Sequence, residues 1–323
     1  MSRRALTLLV TALGVLLLGR AIRSIGIAVI TDNIRQIGIA GFAAVLITGV
    51  MRQVVRSAAW VLLMKGDEGT TSVPLRHALA ATIAGDAIGN LTPFSIAASE
   101  PAKAIFVRAH MPPERALAAL AAENFFYSLS VALAVLAGVA VLFFRFPQLP
   151  DVLRTASFLL VAGMVAVLIG GLWLIWKKPA LVSSTLTRFT GFAGAKTPAY
   201  VRLIEKIRTL ETSSYAFVRA KPGRLAGVAM CEAAFHVLSV AEAWCVLYLL
   251  GYGSVSLAIV LDTVQRMINV IFKMVPLKVG VDETFSGLVS NALSLGSGLG
   301  VTMAVIRKIR VLFWSLVGLA LLR

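Results

Sequence analysis

Nine residues stand inside stretches that are otherwise apolar, and their types define the chemistry open to them: Arg52, Arg56, Asp86, Glu100, Glu123, Arg266, Asn269, Glu283 and Arg307. A guanidinium offers a planar fork of donors that fits phosphate or carboxylate, so the arginines are candidate ligands for an anionic group. The carboxylates can pair with those arginines, cap a helix, or titrate. Arg52 lies about twelve residues from either end of its apolar stretch, about 18 Å along a helix and too far for its head to reach an interface easily. The competing account is a buried structural pair with Asp86, Glu100 or Glu123. Arg56 follows one turn later on the same face. Asn124 and Tyr127 accompany Glu123. Glu232, His236 and Glu242 are further polar residues on an apolar stretch, and for His236 a satisfied buried hydrogen bond is the simpler account.

These positions fall into two matching frames. In LTPFSIAASEP, 91–101, Pro93 stands seven before Glu100; in MVPLKVGVDET, 274–284, Pro276 stands seven before Glu283. Asp86 and Asn269 each precede their proline by seven, and Glu123 and Arg307 follow by 30 and 31. Two polar, broken segments in corresponding positions are the sequence mark of a transporter's binding site. Glu100 and Glu283 read as first-turn residues of helices that begin within the membrane, where the helix dipole stabilises a carboxylate or a bound anion. Each is either a cap for the hairpin tip or a titratable group that trades with substrate. Pro93, Pro276 and Gly280 mark the tips.

The chain has 323 residues, 59% of them hydrophobic, with mean hydropathy +0.88, which excludes a soluble domain and makes the bilayer its solvent. Its net charge of +16 does not signal nucleic acid, because the cations sit largely between apolar stretches and no RNA- or DNA-binding motif occurs. Cys231 and Cys245 are 14 residues apart on one expected helix, about 21 Å along its axis and beyond disulfide reach. No GxxxxGK[ST] loop, HExxH or GxSxG occurs, and His77, His110 and His236 are scattered singly. No metal and no cofactor is expected, and any transport proceeds without ATP.

The elements that must position these residues follow from apolar length. Residues 5–19, continuing to Ile30, form a first span, with Arg20 and Arg23 where a cleavage site would need small residues. A second span covers 39–64. Residues 75–90 give only about 24 Å of helix, short of the hydrocarbon core of about 30 Å. After the turn, a helix over 99–109 starts with Ser99 as N-cap and Pro101 in its first turn. Spans at 114–143, 156–176 and 224–250 follow. Between the last two lies the basic segment 177–223, a cytoplasmic linker by its cations, with 200–218 either an amphipathic helix on the inner surface or a solvated one. Then come 255–275, a short helix near 283–294, the LGSGLG loop and a last span, 301–322. The expected fold is an all-α integral membrane protein of about six full transmembrane helices plus two inverted re-entrant helical hairpins. It forms a single domain, 1–323, with an internal inverted repeat over 75–143 and 255–322. Counting spans places both termini in the cytoplasm and opens the two hairpins to opposite faces, an arrangement used for alternating access.

The stretches LTPFSIAASEPAKAIFVR and VPLKVGVDE resemble the flippase-like transmembrane domain of bacterial lysylphosphatidylglycerol synthases and their stand-alone relatives, over essentially the whole chain. In that family a Pro and Gly-rich turn leads to a Glu-Pro pair, matching Pro93, Glu100 and Pro101, and a second turn reads Pro, then Gly-Val-x-Glu, matching Pro276, Gly280, Val281 and Glu283. The chain departs by Phe94, Ser95, Ala97 and Ala98 where glycines are usual, and by Leu277 and Lys278 in the second turn. With the sequence ending at Arg323, a stand-alone member without the soluble aminoacyltransferase domain is expected, with the hopanoid-associated branch as one context. The resemblance implies lipid translocation in the bacterial inner membrane without lysine transfer.

The resulting expectation is a flippase-like lipid transporter in which Arg52, Arg56, Arg266 and Arg307 engage the anionic part of a headgroup, and Glu100, Glu123 and Glu283 pair with them when the site is empty. Its partners are membrane lipids of anionic or polar headgroup, and no nucleic acid. The alternatives are a membrane enzyme that modifies a lipid headgroup with the same carboxylates, and a scaffold whose partners are lipid-synthesis enzymes.

Overall fold

The computed structural model describes residues 27–65, 73–91, 95–148, 150–177, 222–272, 278 and 280–322, with scattered positions between 184 and 212. Most of the expected first span, the basic 177–223 segment, Pro93 and Pro276 lie outside the described residues. Within them every regular element is a helix. They are α1 (Ile27–Met64), α2 (Leu75–Leu91), α3 (Ser95–Phe106), α4 (Pro113–Arg145), α5 (Asp151–Lys177), α6 (Pro222–Leu249), α7 (Val255–Ile271), α8 (Val281–Ala292) and α9 (Ser297–Ala320). Four are long and apolar enough to cross a membrane: Arg35–Met64 of α1, α4, α5, and Gly223–Leu249 of α6. The helix α9 has 24 residues, but Arg307, Lys308 and Arg310 break its apolar stretch at the middle.

Burial is inverted relative to a water-soluble protein. The interior is rich in small side chains such as Ala78, Ala81, Ala119 and Ala304, while Phe144, Phe158, Leu172 and Trp176 face outward. Lipid tails solvate large apolar groups as well as a core would, so association rests on close backbone approach instead. Gly318 is the clearest case: a Cβ there would come within 2.4 Å of the Ile83 carbonyl oxygen, so α9 can lie against α2 only with hydrogen at that position. Helix α5 packs on α4 alone to any extent and exposes most of its surface.

The packing of the other helices is reciprocal. Helices α1 and α6 form the central pair. Helix α2 packs on α1, α3 and α9; α7 packs on α6, α8 and α4. The first short helix of each pair, α2 and α7, thus lies against a long helix of the other pair's half, α9 and α4, while α3 and α8 pack within their own.

Three boundaries differ from the sequence reading. Helix α3 begins at Ser95, four residues earlier than expected, because the small residues Ala97 and Ala98 are good helix formers and continue the helix backwards. Ser99 is therefore not its N-cap, and Glu100 and Pro101 stand in its middle. The 255–275 segment closes at Ile271, with Phe272 as C-cap, so α7 has 17 residues and is about 26 Å long. Of the LGSGLG loop only Leu295 and Gly296 precede α9; the rest is its first turn.

Candidate functional site

Nine charged residues are buried among the described residues, and seven of them are carboxylates: Glu100, Glu123, Glu232, Glu242, Asp262, Asp282 and Glu283. The two cations are Lys103 and Arg266. A charge at this depth costs several kcal/mol unless it is paired or faces water. The ion pairs meet that cost in a consistent way. Arg56 closes a two-pronged bridge on Glu123, Nε to Oε1 and Nη2 to Oε2, both 3.0 Å, with its guanidinium 4.5 Å over the Tyr127 ring. Arg52 reaches Glu242 at 3.5 Å and lies 4.6 Å over Phe235. Arg310 from α9 pairs with the same Glu242 carboxylate, which Thr48 also meets at 3.3 Å. Lys103 bridges Asp86 at 2.8 Å and Glu100 at 3.2 Å. On α7 and α8, Arg266 grips Asp262 Oδ2 at 2.6 and 2.8 Å, Arg307 lies 3.8 Å from Asp282, and Lys308 pairs with Glu283.

Helix chemistry places these groups. Gly280 adopts φ 79°, a conformation only glycine takes without strain, and its N–H donates to Glu283 Oε2 at 2.9 Å. Glu283 thus caps α8 from its third position and holds Lys308 with its other oxygen. Glu100 has no such role in mid-helix: one oxygen takes Lys103, and Oε2 is buried without a partner. Ser99, expected as a cap, instead donates to Asp86 Oδ1 at 3.4 Å.

The pairs surround a cavity of about 660 Å³, lined by Arg52, Arg56, Lys103, Arg266, Lys278 and Arg310 against two carboxylates, Asp86 and Glu100. A second, of about 120 Å³, shares Arg52, Tyr127, Arg266 and Asn269 with it and adds Arg307 and Lys308 together with three carboxylates, Glu242, Asp262 and Asp282. Charge is layered around this space. Arg56 and Arg52 keep 20% of their side-chain surface, whereas Glu123 and Glu242 behind them keep 3% and 4%. Lys308 over Glu283 and Arg310 over Glu242 repeat the order; Lys103 reverses it against the more open Asp86 and Glu100, and Arg266 and Asp262 are buried alike. The surface of the larger cavity is therefore mainly cationic, with Asn269, Asn90 and Tyr127 as neutral polar partners.

Of the residues singled out in the sequence, Arg52, Arg56, Asp86, Glu100, Arg266 and Asn269 line the larger cavity and Arg307 the smaller one. Glu123 and Glu283 line neither and stand behind Arg56 and Lys308. Arg52 pairs with none of the three carboxylates expected for it, but with Glu242, from a helix 190 residues on. Lys103, Lys278 and Arg310 were not among the candidates. Lys103 follows Glu100 by three, two residues past the first frame, a helical pair distance that the sequence did display. His77 and His110, far apart in sequence, meet with ring centroids 4.5 Å apart and planes tilted by 45°, yet no group of three metal-ligating residues forms among those described.

Comparison with known proteins gives one family. The model of the Lysylphosphatidylglycerol synthase TM region matches residues 5–318. No curated protein and no solved structure matches the chain.

Proposed function

Because this chain belongs to the lysylphosphatidylglycerol synthase transmembrane-region family, a lipid-associated family of membrane domains, we propose that it carries the headgroup of an anionic or polar lipid across the bacterial inner membrane. The observation that carries the reading is the charge of the larger cavity, six cations against two carboxylates, with Glu123 and Glu242, the partners of Arg56 and Arg52, outside its lining. A lipid phosphate entering that space meets guanidinium forks already desolvated on their far side, so it replaces water without an equal loss of solvation. Arg52, Arg56, Arg266 and Arg307 are its ligands in this reading, joined by Lys103, Lys278 and Arg310. Asn269 and Asp86 supply hydrogen-bond partners for the uncharged part of the headgroup.

Movement follows from the helices around the cavity. Helices α2 and α3, and α7 and α8, act as two hairpins that enter from opposite faces, with Pro93 and Pro276 at their tips. The exchange of packing partners, α2 on α9 and α7 on α4, supports a pseudo-two-fold relation between the halves. Rocking of one half against the other exposes the cationic surface to each side in turn.

Reconstitution of the purified chain in vesicles carrying a panel of fluorescent lipids tests the reading. Translocation of a lipid with an unchanged headgroup is the expected result. A chemically modified headgroup in the vesicle extract assigns the cavity to an enzyme instead, and neither result leaves the scaffold.

A further inference from the structure

Glu232, on α6, lines neither cavity and is 4% exposed. The other six buried carboxylates each meet a cation: Lys103, Arg56, Arg52 with Arg310, Arg266, Arg307 and Lys308 in turn. Among the described residues Glu232 does not. Its Oε2 accepts a hydrogen bond from Ser130 Oγ at 3.1 Å, and its Oε1 is buried without a partner. The helices packed on α6 supply charges that are already spent on one another. From α1 and α4 these are Arg56 and Glu123, locked in their two-pronged bridge; from α7 they are Arg266 and Asp262. On its own helix Glu232 has Cys231 beside it and His236 one turn on. A carboxylate so enclosed, with no cation beside it, has a proton as the partner that can balance its charge.

The residue is nevertheless connected to the cavity. Ser130 Oγ lies 3.0 Å from His236 Nε2, and His236 Nδ1 meets the guanidinium of Arg266, which lines both cavities. A guanidinium only donates, so Nδ1 is the acceptor and the proton of the neutral ring sits on Nε2, directed at Ser130. Ser130 Oγ also lies 2.8 Å from the Tyr127 carbonyl oxygen, so its single proton serves either that carbonyl or Glu232; with the proton on the Glu232 side, Arg266, His236, Ser130 and Glu232 form a chain in one direction, from the headgroup cavity to the unpaired carboxylate.

We propose that Glu232 is the binding site of a proton that couples headgroup movement to the proton gradient, an inference that rests on the transport reading above. An anion at Arg266 draws the guanidinium off His236. Nδ1 then takes a proton from cavity water, the ring gives its Nε2 proton to Ser130, and Ser130 passes its own to Glu232. One proton enters, one carboxylate is neutralised, and the ring ends neutral with its proton on Nδ1. Return of the proton by the same route resets it.

Two readouts test this. Infrared difference spectra of the full chain in phosphatidylglycerol vesicles, taken between neutral and alkaline pH, should show a protonated-carboxyl stretch that Glu232→Gln loses. The glutamine has the shape of the protonated acid, so the variant folds. In vesicles with an imposed pH gradient, fluorescent phosphatidylglycerol should accumulate in one leaflet with the native chain, whereas Glu232→Gln should exchange it without responding to the gradient. Identical infrared spectra, an equal gradient response in the variant, or accumulation driven by a sodium gradient overturns the proposal. If no labelled lipid crosses at all, the transport reading and the coupling fall together, while the infrared band separately decides whether Glu232 holds the proton.

Discussion

Arg52 and Arg310 share one carboxylate, Glu242, and that sharing makes Arg52 the cleanest residue at which to separate binding from folding. Removing a lone partner from a buried pair leaves an uncompensated charge and costs about 3–5 kcal/mol. After Arg52→Ala, Glu242 still holds Arg310 and Thr48, so the variant should fold and melt close to the native chain. Vesicle assays should find its lipid translocation lost and Arg52→Lys only partly active, since lysine keeps the charge without the fork. Normal translocation by well-folded Arg52→Ala would remove the arginine from the headgroup site. Glu123 is the contrasting case. Its only cation is Arg56 among the described residues, so Glu123→Ala should lower stability by about 3–5 kcal/mol in detergent denaturation. The double variant with Arg56→Ala should cost much less than the two single changes added together. Sequence displayed the charges but not these partners, because an ion pair between α1 and α6 leaves no local spacing to read.

At the scale of the helix, the legible features were those set by length and local chemistry. The shortness of α2 and the Gly280–Glu283 cap follow from the apolar count and from a Gly three residues before a Glu. The start of α3 did not, since a proline and a serine that serve well as start signals also sit inside a helix when alanines precede them. Equally invisible was the contact that joins the halves, where Gly318 of α9 meets the backbone of α2. Gly318→Leu should force these helices apart and cost roughly 1–3 kcal/mol, read as a lower melting temperature in detergent. Gly163→Ala on the outward face of α5, where nothing lies within 4 Å of an added Cβ, is the control and should be neutral or stabilising. Equal melting of the two variants would mean that the α2–α9 approach yields without cost.

For the whole molecule the open question is orientation, and charge decides what to expect. Cations are enriched in cytoplasmic segments, and 177–223 carries Lys177, Lys178, Arg188, Lys196, Arg202, Lys206, Arg208, Arg219 and Lys221 against Glu205 and Glu211. Helices α4 and α5 are both of spanning length and are joined by the short turn around Phe146–Pro150, so that turn and the basic segment must lie on opposite faces. The same alternation across α6 puts Gly253 with the turn. The first hairpin, flanked by Lys65, Arg76, Arg108 and Arg115, is then expected to open to the cytoplasm and the second to the far side. In a chain whose two cysteines are replaced by serine, single cysteines at Gln148 or Gly253 should react with an impermeant thiol reagent added to intact cells. Cysteines at Lys196 or Lys206 should react only after the membrane is opened. External labelling at 196 or 206 would reverse the orientation. Labelling of 148 and 253 from different sides would do more, since it removes the odd number of crossings between the hairpins and with it the opposed entry on which alternating access depends.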